Sequence, residues 1–575
     1  MFKLLKYLNT CKKEAILTPI LVMLEVLSEV FIPIFMGKLI DEGIKGNDIS
    51  LAYRYGIYMV ALAILALIFG VLASRKAAIV ANQLGRNIRK AEYEKIQTYA
   101  FENIDKFSTS SLVTRLTMDV SMVQNAVQMN IRIAFRAPAM ILFSITSAYI
   151  VGGNLALIFV FIAPFVGLGL WIIMRGAHKY FVQMFNKVDK LNLKVQESLS
   201  GIRTVKSYVR EDYEIEKFEE VIEDVATNGK KAEKWVMFNN PLMQLSICIC
   251  FTLIAWFGSY NMVVNGLTEG AFANIISYVM HILMSLMMLS QVFLMIVISK
   301  ASVERITEVL NETSSLTEKQ DAVSEVKEGT FEFKDVSFRY KDKDILKNIN
   351  FKAKQGEFIG IFGATGTGKT TMIQLISRLY DASSGTVLVS DIDVKDYKLE
   401  VLRKEVVTVL QKNVLFSGTI RDNIKWGKED ATDEEIISAL KKAHAYEFVS
   451  KMKDFLDTWI EQGGVNVSGG QRQRLCIARA LISNPKILIM DDSTSAVDTK
   501  TDSQIKETLR EETPNMTKVI ISQRLSSIKD ADRIIILDTN GINGIGNHEY
   551  LYAHNEIYKD VYDLQQKGKG SEIDE

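Results

Sequence analysis

The most specific chemistry in this chain sits in Gly363, Ala364, Thr365, Gly366, Thr367, Gly368, Lys369 and Thr370, which read G-x-x-x-x-G-K-[ST]. Glycines let backbone N–H groups close around phosphate oxygens, and a helix opening at Thr370 and Thr371 adds a favourable dipole. Lys369 then meets the outer phosphates of a nucleoside triphosphate, and the Thr370 hydroxyl is placed to ligate Mg²⁺. Downstream, the apolar run 486–490 ends in Asp491, a second carboxylate on the Mg²⁺ side, and Asp492 follows it directly. Ser468, Gly469, Gly470 and Gln471 combine a hydroxyl, two glycines and a helix start, which makes a second anion-binding end. A last strand, 518–522, ends in Gln523, whose amide can touch a phosphate but brings no positive charge.

Such groups need a frame. Residues 358–362 read as a buried strand ahead of the loop and 371–379 as the helix after it, so the soluble part is an α/β P-loop nucleotide-binding domain. The N-terminal part differs. Apolar stretches at 16–40, 55–77, 138–151, 155–174, 241–264 and 271–299 approach the roughly 20 residues a bilayer requires. The third is short, with an apolar face continuing upstream through 131–135, which predicts a longer or tilted helix. Pro19, Pro33, Pro138, Pro164 and Pro241 lie in or beside these spans, with kinks expected at Pro33 and Pro164. The fold class is therefore multidomain: an all-α transmembrane domain of six helices, then the α/β domain. The boundaries read as an interfacial helix over 1–14, the membrane domain over 15–315, a linker over 316–330, the nucleotide-binding domain over 331–567 and a disordered tail over 568–575.

Lys and Arg crowd residues 75–136 and 175–234, whereas the other connections are short and nearly uncharged or acidic, so both termini and the nucleotide-binding domain face the cytoplasm. Loops of roughly 60 unstructured residues are improbable, and the spacing of Leu191, Val195 and Leu199 argues that membrane helices continue into the cytoplasm. The 68 Lys and Arg balance 68 Asp and Glu, which removes bulk electrostatics as a reason to expect nucleic acid. Cys11, Cys248, Cys250 and Cys476 read as buried apolar thiols. Glu25 and Glu29, one turn apart in the first span, must face a polar interior. They either help a cavity accept cationic hydrophobic substrates or form a structural hydrogen-bonded pair. Residues 280–288 are Met-rich, suiting either an adaptable binding face or ordinary helix packing.

The order of Gly363 to Thr370, Gln411, Ser468 to Gln471, Asp491 and then Ser495, Ala496, Val497 and Asp498 resembles the ATP-binding cassette of ABC transporters. With six preceding spans, the resemblance extends to an exporter-type half-transporter. It implies that two cassettes close head to tail over ATP and Mg²⁺, one supplying the phosphate loop and the other Ser468, Gly469, Gly470 and Gln471. It also implies that Tyr340 stacks on adenine, that Gln411 touches Mg²⁺ and the attacking water, that Asp498 lies in the D-loop, and that 108–116 and 208–213 are coupling helices. The chain departs from that family at two positions: Asp492 stands where a catalytic Glu is usual, and Gln523 where a switch His is usual. The expectation is the degenerate-site subunit of a bacterial heterodimeric multidrug exporter in the inner membrane, partnered by a half-transporter with intact Glu and His. Its cargo would be hydrophobic small molecules. A lipid or peptide flippase of the same architecture, or an ATP-gated regulatory subunit, are the alternatives.

Overall fold

The computed structural model of the chain describes residues 2–340, 343–493 and 496–570, so Ser495 and the last five residues of the expected tail lie outside the described residues. Two compact units are present: Met1–Thr98 with Asp105–Thr313, and Tyr99–Ile104 with Ser314–Glu575.

Ten α-helices precede residue 313 among the described residues: α1 (Lys12–Lys38), α2 (Ile49–Gln97), α3 (Phe101–Phe107), α4 (Thr109–Thr114), α5 (Val120–Gly152), α6 (Leu157–Ser200), α7 (Ile202–Ser207), α8 (Glu211–Val236), α9 (Asn239–Val264) and α10 (Glu269–Asn311). Five continuous helical stretches are long and apolar enough to cross a bilayer, and one of them, Thr109–Met184, has 76 residues. At 1.5 Å per residue that is about 114 Å, several times the roughly 30 Å hydrocarbon core. It breaks at Gly153, where φ is +56° and a 3₁₀ turn follows over Gly153–Ala156, so α5 and α6 count as separate crossings. The bundle's outer surface is apolar, with Leu67, Phe161 and Trp256 strongly exposed, as lipid contact requires. Cys248 is on that exposed side and is not the buried thiol expected; Cys11, Cys250 and Cys476 are buried.

The third span is the longer helix that its upstream apolar face predicts: α5 is 33 residues long and continues through Pro138. The N-terminal segment Phe2–Cys11 is a 3₁₀ helix in which Leu4 and Cys11 are buried with Val80, Leu84 and Ile88 of α2. The Asn87 amide also donates to the Tyr7 carbonyl at 2.7 Å. Helices do extend far beyond the apolar spans, α2 with α5 and α6 with α8, but the elements at their tips differ from the expected ones. Residues 108–116 belong to the first unit, whereas Tyr99–Ile104 joins the second. At the other tip the helix is Ile202–Ser207, and Tyr208 and Val209 stand exposed after it, Val209 with φ of +51°.

In the second unit the stretch 316–330 is packed, not a free linker. Val326 is buried, Val323 bridges to Tyr397, and the Thr317 carbonyl accepts from the Arg378 guanidinium at 2.9 Å. The strands are β1 (Phe331–Tyr340), β2 (Lys343–Ala353), β3 (Phe358–Gly363), β4 (Ser384–Val389), β5 (Ile392–Asp393), β6 (Val406–Val409), β7 (Gly418–Thr419), β8 (Trp459–Ile460), β9 (Ile487–Asp491), β10 (Thr517–Ile521), β11 (Arg533–Asp538) and β12 (Gly541–Gly546). A six-stranded sheet runs β12-β11-β3-β10-β9-β6, parallel except at β12, and an antiparallel sheet runs β2-β1-β4-β5. Every residue of β3, β9 and β10 is buried, which explains the apolar runs 358–362, 487–490 and 519–521. Ile521 pairs with both Ile361 and Asp491, so the C-terminal ends of these three central strands lie side by side. The loops leaving those ends form the site.

Candidate functional site

β3 delivers the chain into the phosphate loop, and α11 (Lys369–Ile376) leaves it. Gly366 and Gly368 have φ of +88° and +91°, backbone that L side chains avoid, and at Gly368 a Cβ would also press on Leu346 and Ile345. Nothing lies within 4 Å of where a Cβ of Gly366 would point, so the loop leaves open room there. Lys369 is 8% exposed, and its ammonium donates to the carbonyls of Gly363 at 2.8 Å and Ala364 at 2.7 Å. Burial holds its pKa below the ordinary lysine value, while Asp491 and Asp492 pull it back up.

The Thr370 hydroxyl donates to Asp491 Oδ2 at 2.9 Å. A hydroxyl and a buried carboxylate converging at the mouth of a phosphate loop form an oxygen donor set that suits Mg²⁺. Burial raises the Asp491 pKa against the Thr370 hydrogen bond, and Asp492 adds to the rise. A cation there would remove that penalty. Asp492 takes φ of +46°, with its N–H donating to the Ile521 carbonyl at 3.0 Å. Its carboxyl pKa is raised by burial and drawn down by Arg524 and Lys369. The structure thus brings Lys369, Thr370, Asp491 and Asp492 into one electrostatic cluster.

Gln523, on the loop after β10, is exposed and held from an unexpected quarter. Gln565, on the C-terminal helix Glu556–Gly570, donates its amide to the Gln523 carbonyl at 3.0 Å and accepts from the Leu525 N–H at 2.9 Å. One side chain therefore brackets the switch position. Its only sequence signal was an amphipathic segment near the C-terminus.

Tyr340 ends β1 with its ring edge-on to Phe338 and Tyr380, at 4.8 and 5.5 Å between centroids, and partly exposed. Gln411 follows β6 and is exposed, and its carbonyl accepts from the Asn413 amide. The Tyr340 hydroxyl donates to Gln374 Oε1 of α11 at 3.4 Å, whereas among the described residues no hydrogen bond or ion pair joins Gln411 to Lys369, Thr370, Asp491 or Asp492. Thr371, just inside α11, is buried.

Ser468 caps the helix Gly469–Leu481 in a reciprocal box: its hydroxyl accepts from the Gln471 N–H, and the Gln471 side chain accepts from the Ser468 N–H. Gly470 lies so close to the Ala496 carbonyl that a Cβ would approach it to 2.9 Å. Gln473 Oε1 accepts from the Ala496 N–H at 3.0 Å, and Asp498 caps the helix Thr499–Glu512 through the Thr501 N–H. The helix Gly469–Leu481 and the segment around Ala496 and Asp498 are thereby joined within one chain, and among the described residues no hydrogen bond or ion pair links 468–471 to 363–370.

In the membrane bundle, Glu25 and Glu29 are not a free anionic face. Arg136 of α5 holds Glu25 through Nη1 and both Glu29 oxygens through Nη2, at 2.9 and 2.8 Å, and Arg132 adds Glu25 at 3.0 Å. Glu25, Glu29 and Arg132 line a cavity of about 590 Å³ together with Ala66, Gly70 and Ser74 of α2. Both arginines were missed as site residues, although they are one turn apart in the same way as the glutamates.

The sequence matches the family described as "ABC transporter transmembrane region" over residues 15–287 and that described as "ABC transporter" over residues 346–495. It is 36% identical to the uncharacterized ABC transporter ATP-binding protein YfiB of Bacillus subtilis (strain 168), over 100% of both chains. It is 32% identical to the ATP-dependent lipid A-core flippase of Desulfotalea psychrophila (strain LSv54 / DSM 12343), covering 88% of this chain and 90% of that one. It is 29% identical to YheI of Bacillus subtilis (strain 168), named a probable multidrug resistance ABC transporter ATP-binding/permease protein, over 94% and 93%. Its fold superposes on a bacterial Atm1-family ABC exporter with ATP bound at a TM-score of 0.84, with 22% identity over 97% of this chain and 99% of that one. Membrane helices leading into a P-loop sheet, a phosphate loop beside Asp491 and a separate capped signature all agree with these matches, and the chain belongs to the ABC transporter family as a half-transporter of the exporter type.

Proposed function

We propose that this chain is one subunit of a heterodimeric exporter of hydrophobic or amphipathic compounds in a bacterial inner membrane. Its own phosphate-loop site retains ATP and cleaves it slowly, and its signature completes the competent site of a partner. The observation that carries this reading is the contrast within one site. Lys369, Thr370 and Asp491 are assembled to hold nucleotide and Mg²⁺, while the carboxylate at 492 is an Asp and the switch position is a Gln.

Lys369 would neutralise phosphate charge, and Thr370 with Asp491 would hold Mg²⁺, which would polarise the outer phosphates. Asp492 is pinned at its backbone by Ile521 and is one methylene shorter than the Glu this family carries, so its carboxylate holds the attacking water at longer reach. Gln523 adds no charge. Loss of a positioned base commonly costs about 10²–10⁴ in rate. The capped Ser468 to Gln471 end remains whole, as a chain acting in trans requires. The relatives named for lipid A-core and for multidrug resistance both support an amphipathic or hydrophobic cargo.

The test is steady-state phosphate release by the full chain, alone and purified with a half-transporter bearing Glu and His at these positions. Asp492→Glu combined with Gln523→His raises turnover at this chain's own site by about 10². Ser468→Arg abolishes most hydrolysis by the pair. Family-level turnover by the chain alone, or a pair indifferent to Ser468→Arg, refutes the proposal.

A further inference from the structure

β3 and β10 end at the nucleotide site, and their opposite ends border a second cavity. It has a volume of about 340 Å³ and is lined by Phe358, Lys506, Leu509, Arg510, Lys518 and Asp532 among others. Lys518 pairs with Phe358 in register at the start of both strands, so the cavity lies a full strand length from the phosphate loop, on the order of 15 Å at 3.3 Å per residue.

Its cations are unequally partnered. Lys506 is paired with Asp502, and Arg510 donates to the Asp530 carbonyl and reaches Asp532 Oδ1 only at 3.4 Å, while Asp532 Oδ2 is occupied by the Phe358 N–H at 2.8 Å. Lys518 is 3% exposed and donates to the Thr513 carbonyl, and among the described residues no carboxylate lies within ion-pair distance of its ammonium. Two of its three N–H donors are left inside a low-dielectric wall of Phe358, Leu509 and Ile520. Burial depresses the Lys518 pKa to about 8, with Asp532 opposing the fall and Arg510 adding to it. A buried ammonium of this kind calls for an oxyanion.

The cavity also touches the far ends of two elements that serve the nucleotide site. The helix Thr499–Glu512, which supplies Lys506 and Arg510, starts at the Asp498 cap, and β10, which supplies Lys518, leads into Gln523.

We propose that this cavity is a regulatory site for a small organic anion, an apolar body carrying one phosphate or carboxylate, held by Lys518 and Arg510 and coupled to nucleotide binding. The inference rests on the cassette's own geometry and not on the degenerate-site reading, so either can fail alone. Phenyl phosphate and benzoate are the probes, titrated calorimetrically into the full chain in nanodiscs with and without ATP·Mg²⁺. Either probe binds saturably with ATP present, and Lys518→Met weakens it at least tenfold. Arg510→Gln, at a half-exposed position, does the same if Lys518→Met misfolds. Without nucleotide, Lys369→Met binds the probe as the parent does, because the phosphate loop is elsewhere. In the parent, the affinity for ATP changes by the same factor as that for the probe changes with ATP. Absence of saturable binding by both probes, insensitivity to both cavity variants, or loss of nucleotide-free binding in Lys369→Met overturns the site. Binding without any shift in ATP affinity overturns its regulatory role.

Discussion

Arg136 offers the sharpest energetic test of the membrane bundle. Its side chain is 18% exposed, that of Glu25 6% and that of Glu29 27%. Arg136 makes three of the four charged hydrogen bonds in the cluster and is the recorded partner of Glu29, whereas Glu25 keeps Arg132. Arg136→Ala therefore strands one carboxylate in a low-dielectric setting. Breaking a buried pair by removing one partner costs about 3–5 kcal/mol, and the partial exposure of Glu29 places the expected loss near 3 kcal/mol. Arg136→Lys keeps the charge but loses the planar fork that spans both acids, for about 1–2 kcal/mol. Glu29→Gln with Arg136→Met removes both charges and leaves Glu25 with Arg132, so it stays within about 1 kcal/mol of the parent. Thermal unfolding in nanodiscs, followed by tryptophan fluorescence, reads these as a fall in Tm of roughly 5–10 °C for Arg136→Ala and near recovery in the double variant. If the double variant is no more stable than Arg136→Ala, charge pairing is not what holds α1 to α5.

Two further outcomes follow from the same reasoning. Gln565→Ala removes the acceptor of the Leu525 N–H, so hydrogen exchange in the 521–527 segment speeds up by about tenfold, whereas Gln565→Glu, which keeps an acceptor there, preserves most of the protection. Glu92 lies near the C-terminal end of α2, beyond its apolar span, fully buried with neither oxygen hydrogen-bonded; burial first, and then Asp119, raises its pKa from 4.5 to about 8 against Arg115 and Arg89. Between pH 4.5 and 8 the native state keeps a proton the unfolded chain has released, so stability falls as pH rises through that window. Glu92→Gln flattens the slope and gains roughly 3–5 kcal/mol at pH 9, read by denaturant unfolding at pH 5 and 9.

What could be read in advance was whatever is local. The phosphate loop, the Ser468 cap and the central strands each depend on neighbours within a few positions. Asp491 was legible because a fully buried parallel strand is an unbroken apolar run with a carboxylate at its end. The Glu25 and Glu29 partners were not, since they lie more than a hundred positions away. Arg132 and Arg136 lower the hydropathy of α5 as a sequence, but in the fold their charges are answered by α1. Gln565 was illegible for a different reason: its role is to bond backbone groups, and backbone acceptors leave no mark in side-chain identity. The tip helices rest on family resemblance, and nothing in the side chains of 108–116 marks them as lying outside the second unit, which takes Tyr99–Ile104 instead.

That last segment affects how the chain can be divided. Phe101 packs on the buried ring of Tyr380 at 6.1 Å, and the Asn103 side chain accepts from the Ser315 N–H, so the nucleotide-binding unit is built from two separated stretches of polypeptide. A gene fragment beginning at Ser314 omits the first stretch and uncovers an aromatic surface around Tyr380. The soluble cassette is thus not a portable cartridge, and its separate expression invites self-association at the place where six residues of the membrane half belong.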